Sequence, residues 1–130
     1  MFNHRNPQHQ DNYSYLVRCV DRLRTALASG EGVLLVSMTR DAPDFHDKVE
    51  RLRIGLSTLP GRYLLLVVKL KEESHDSFFS LDKIIDEPDC HAFSYSTRSK
   101  AGPISFSTPL DDAIIEALFR GYGVDCERLP

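Results

Sequence analysis

This chain is short of almost every motif that announces a chemistry. It has neither GxGxxG nor GxxxxGK[ST], so no glycine loop is offered to a nucleotide phosphate. It has no GxSxG elbow, which removes the usual α/β serine hydrolases. Its five histidines, His4, His9, His46, His75 and His91, are scattered and form no HExxH or close helical pair. Three cysteines, Cys19, Cys90 and Cys126, are odd in number and widely spaced, with neither a CxxC zinc pattern nor a disulfide framework. No metal and no cofactor are expected, and reduced cysteines place the chain in the cytoplasm. No apolar run nears the ~20 residues of a membrane span. Residues 1–7 lack the apolar core of a signal peptide, so no membrane role is expected. Basic excess is missing too: a net charge of −3 argues against nucleic acid as a partner.

What is present reads as one soluble domain. The 130 residues are 42% apolar and 27% charged, enough for a single core and too few for a two-part enzyme. Residues 32–38 and 62–70 are unbroken apolar runs, the pattern of central strands covered on both faces. Between them Phe45, Val49, Leu52 and Leu56 keep helical spacing, which predicts a βαβ unit with parallel strands. Upstream, Leu16, Val20, Leu23 and Leu27 predict an amphipathic helix capped by Asp11 or Asn12 and closed by Gly30. Downstream, residues 80–85 predict a short helical turn, and 92–96 alternate as a strand covered on one face. Ile104, Ser105 and Phe106 suit a short edge strand, and Thr108 caps a last helix striped by Leu110, Ile114, Leu118 and Tyr122. The expectation is an α/β fold, a small three-layer Rossmann-like sandwich with a largely parallel central sheet. Residues 1–12 are a polar lead-in and 124–130 a flexible tail.

Three stretches can carry chemistry. Cys90 and His91 are neighbours, but adjacent strand residues face opposite ways, so packing is the better reading than a dyad. Ser37, Thr39, Arg40 and Asp41 form a loop at the carboxyl end of the first strand, where open α/β sheets place ligands. Hydroxyls, a guanidinium and the following helix amides there suit a small anion. The basic, hydroxyl-rich stretch 94–100, with Arg98, suits the same partner if it lies beside Arg40; a solvated loop is the plainer reading.

Phe2-Asn3-His4, a helix, and then the strand and loop Val33 to Asp41 together resemble the C-terminal half of a bacterial family of unknown function. Its members are held, by inference, to be papain-like cysteine peptidases of surface-polysaccharide gene clusters. They often carry a Phe-Asn-His-His-like stretch, then a helix, a Leu-Phe-Val-Arg-like strand and an Arg-Asp-like loop. The similarity covers residues 2–70, and the last helix fits more loosely. It implies a catalytic role for His4. The family's nucleophile sits in a Gly-Ser-Asn-Cys-like motif upstream of the histidine, whereas this sequence starts at Met1 and has Arg5 where a second histidine is common. The expectation is therefore a binding or assembly domain without a complete catalytic site. A small hydrolase or transferase, and a nucleotide- or sugar-phosphate-binding module, are the alternatives. A homo-oligomer or a protein partner fits an incomplete sheet whose edge pairs with another chain.

Overall fold

A computed structural model describes residues 8–72, 80–97 and 109–124. The elements run α1 (Gln10–Ala28), β1 (Val33–Arg40), α2 (Phe45–Ser57), β2 (Tyr63–Glu72), β3 (Ser80–Glu87), β4 (Cys90–Thr97) and α3 (Pro109–Gly121). The strands form one sheet ordered β1-β2-β4-β3. β1 pairs parallel to β2 with Val33 opposite Tyr63, as the two apolar runs predict, and β2 pairs parallel to β4. β3 runs antiparallel to β4, so the sheet is mixed and not largely parallel. The reason is the short turn at Pro88 and Asp89, which leaves room for a hairpin and none for a crossover.

Alternation along the strands sorts the core into two sides. On one, Phe45, Val49 and Leu56 of α2 pack with Leu65, Val67, Cys90 and Ala92. On the other, Val68 and Tyr95 pack with Ile115, flanked by Leu118 and Phe119 of α3. Each buried valine, leucine, isoleucine or phenylalanine among them contributes about 1.5–3 kcal/mol by leaving water. β2 fulfils the expectation of two covered faces, with Leu65, Leu66, Val67 and Val68 all buried. β1 does not: it lies at the sheet edge, where Val36 is 44% and Met38 40% exposed.

Several local expectations change. α1 begins at Gln10 with His9 at its cap, so Asp11 and Asn12 lie inside the helix instead of capping it. Residues 80–85 are strand and not a helical turn: a bulge between Lys83 and Ile85 breaks the alternation and gives the apolar residues a helix-like spacing. β4 is interior and covered on both faces, because β3 lies outside it. On α3 the expected stripe holds at Ile114, Leu118 and Tyr122, with Asp111 and Ile115 buried beside it, but Leu110 is exposed. Gly61 turns the chain into β2 with φ +109°, where any Cβ would collide with the Leu27 carbonyl, so this turn anchors the end of α1. Thr108 and residues 104–106 lie outside the described residues.

Candidate functional site

β1 extends two residues beyond the expected strand, since the Asp41 amide still donates to Leu70 at 2.9 Å. Ser37, Thr39 and Arg40 are thus strand residues and not a loop. Parallel register then sets Thr39 opposite Lys69, Lys69 opposite Ser94, and Ser94 opposite Asp82. Paired residues share a face, so a hydroxyl, an ammonium, a hydroxyl and a carboxylate form one row beside the buried apolar row of Val67 and Ala92. With strands about 4.8 Å apart the row spans ~14 Å. A compact ligand therefore meets only its β1 and β2 part.

There, between β1 and α2, lies a cavity of about 170 Å³ lined by Ser37, Thr39, Ala42, Phe45, Val49, Leu52 and Val67, with Arg40 and Lys48 also on its wall. The walls are mainly apolar because α2 offers its core stripe to an edge strand that carries hydroxyls. Lys69 lies next to this wall, only 13% exposed, with Nζ 5.0 Å from the Phe45 ring centre and 3.5 Å from Asp41 Oδ1. Lys48 pairs with Asp44 at 3.2 Å, both well exposed, a pair worth ~0–1 kcal/mol and easily opened.

The sequence-derived residues are thereby divided. Ser37 and Thr39 come together on the cavity. Arg40 contributes to its rim, but alternation assigns its side chain to the opposite face with Met38. Asp41 is engaged by Lys69 and not by Arg40, and Asp44 occupies the α2 cap position without a side-chain capping bond. His4 and Arg98 lie outside the described residues. Lys48 and Lys69 were not singled out as ligand residues, and Ser94 entered only as the start of the hydroxyl-rich stretch 94–100. The one available signal for Lys69 was a lone charge inside the apolar run 63–70.

Cys90 and His91 are no dyad. Cys90 is fully buried among the α2-side core, and burial pushes its thiol up, away from the reactive thiolate. His91 turns to the other face, where Nδ1 lies 2.7 Å from the Tyr122 hydroxyl and Nε2 3.5 Å from Asp86. Among the described residues no group of three or more histidine, cysteine or acidic side chains is placed to hold a metal ion. No described helix is long and apolar enough to cross a membrane. At the opposite, amino end of the sheet, Arg53 holds Asp89 through two nitrogens at 3.1 and 2.8 Å, with the Tyr63 hydroxyl 3.4 Å from the same carboxylate. That cluster fastens α2 to the β3–β4 turn.

Comparison with family models, curated proteins and solved structures found no match.

Proposed function

We propose that this chain is a cytoplasmic binding and assembly domain, Rossmann-like in build and kin to the papain-like family it resembles, which binds without catalysing. Its ligand is a small amphiphilic anion, such as a short-chain or aromatic carboxylate. The observation that carries this reading is the cavity between β1 and α2: apolar walls, two hydroxyls from Ser37 and Thr39, and the cationic Lys48 at the wall. Its 170 Å³ is close to the ~150 Å³ of a cavity that admits benzene and below the ~300 Å³ where drug-sized ligands begin. An apolar body the size of one ring fits inside while its carboxylate stays at the mouth, beside Lys48. A nucleotide is too large for the space.

A thermal-shift panel of benzoate, butyrate, inorganic phosphate and nucleotides tests this. Benzoate or butyrate at 100 times its dissociation constant should stabilise the chain by ~2.7 kcal/mol. Leu52→Trp, which fills the cavity from a residue already 42% exposed, should abolish the shift without lowering the basal melting temperature. A panel in which no carboxylate moves the melting temperature defeats the ligand reading.

A further inference from the structure

The cavity between β1 and α2 meets only the β1 and β2 part of the polar row, and the polar surface continues past it. As Lys69 lies opposite Ser94, so Lys71 lies opposite Ser96. Residues two apart on a strand share a face. Lys69, Lys71, Ser94 and Ser96 are therefore the corners of a rectangle on the α2 side of the sheet. It measures about 4.8 Å across the strands and ~6.6 Å along them. Tyr95, between the two serines, turns to the core on the other side. The rectangle sits at the carboxyl ends of two parallel neighbours, where open sheets collect ligands.

Its corners hold unused donors. Ser94 is only 8% exposed, yet its hydroxyl has no hydrogen-bond partner among the described residues. No described side-chain oxygen is both sealed from solvent and unbonded, so this hydroxyl keeps an opening onto its face. A polar group withdrawn from water without a bond is a cost that a ligand can offset. Lys71 is exposed and has no ion pair among the described residues. Lys69 is held beneath Phe45, and its pair with Asp41 is long, 3.5 Å, with the acid 44% exposed. Such a pair is worth little and exchanges readily for a better acceptor.

We propose that this rectangle is a phosphoryl site, separate from the cavity, which holds one tetrahedral oxyanion: free phosphate or the phosphate of a small monoester. Two ammoniums from β2 and two hydroxyls from β4 approach one centre from opposite sides, and none of the four corners is an acid. A carboxylate offers two oxygens in one plane and leaves part of this donor set unmet; a phosphoryl group offers three or four around a centre. Acids stand only outside the rectangle, Asp41 just past β1 and the exposed Asp82 opposite Ser94 on β3. They repel an anion that spreads beyond the centre, so a compact phosphoryl group is favoured over a polyphosphate.

Calorimetric titration of the full chain with inorganic phosphate, and separately with glycerol phosphate, tests this. Binding of both assigns the site to phosphoryl groups in general, and binding of inorganic phosphate alone restricts it to the free ion. Ser94→Ala should weaken phosphate about tenfold without lowering the melting temperature, because the hydroxyl it removes bonds nothing in the free chain. A serine that served only the fold would lower the melting temperature and leave binding alone. Lys71→Met, at an exposed position, should also weaken phosphate about tenfold in a folded protein. If Ser94→Ala does not fold, Lys71→Met decides the matter. A wild type that binds neither compound, or phosphate binding indifferent to Ser94→Ala or Lys71→Met, would overturn the proposal. Leu52→Trp, which fills the cavity, should leave phosphate binding unchanged, so the carboxylate reading stands or falls separately.

Discussion

The Tyr95 hydroxyl donates to Asp111 Oδ1 at 2.5 Å, with both side chains fully buried. This bond ties β4 to the first turn of α3, where a carboxylate also meets the favourable end of the helix dipole. Tyr95→Phe removes the donor and leaves buried acceptor capacity unmet. Urea unfolding should show a loss of about 1–3 kcal/mol. Asp111→Ala removes the acceptor and opens space as well, so it should cost at least as much. An unchanged midpoint for Tyr95→Phe would mean that this bond adds nothing to the docking of α3.

The Arg53–Asp89 pair makes a pH prediction. Arg53 beside it holds the Asp89 carboxyl below its usual range, against a contrary push from burial. A carboxylate whose folded value lies below its unfolded value of about 3.9 stabilises the fold above that pH. The contribution is lost as pH falls through the folded value. The Asp89 side chain is 36% and Arg53 23% exposed, so solvent limits the effect to ~1 kcal/mol. Arg53→Met should therefore cost that much at pH 7, and the gap between variant and wild type should close once the solution is more acidic than the folded carboxyl. A gap that does not narrow at all as pH falls below the unfolded value of about 3.9 would assign the loss to packing of the arginine stem.

Cysteine reactivity separates packing from chemistry. Cys90 is buried and its thiol is raised by that burial, while Cys19 on α1 is only half-buried; neither is in a disulfide. In the native protein Cys90 should alkylate ~10²-fold more slowly than Cys19, and the two should converge in denaturant. Peptide mapping of iodoacetamide-treated protein reads this directly. Rapid native labelling of Cys90 would return it to the candidate active-site residues.

The candidate site was legible only in part. Ser37 and Thr39 could be placed because the carboxyl end of a strand in a βαβ unit is where ligands collect. Arg40 was placed beside them as part of a loop. Once β1 runs to residue 40, its alternation separates Thr39 from Arg40 by a full face. Lys69 and Ser94 enter the row only through register with Thr39, from strands thirty and more residues away along the chain.

The sequence by itself determined the β1-α2-β2 unit, the parallel pairing of its strands and the burial of Phe45, Val49 and Leu56, though not of Leu52 in the same stripe, which is 42% exposed, because spacing along one segment is local information. It also determined that Cys90 and His91 face apart. Only the tertiary structure decided which apolar run is central and which is an edge. Residues 33–38 and 63–68 look alike in composition, yet Leu66 is fully buried and its partner Val36 is 44% exposed. A strand's own residues specify its pleat; what covers each face and edge depends on which other strands and helices come to lie beside it, and that is a non-local packing choice. The same choice turned residues 80–87 into a bulged outer strand and made β4, and not β1, the interior neighbour of β2.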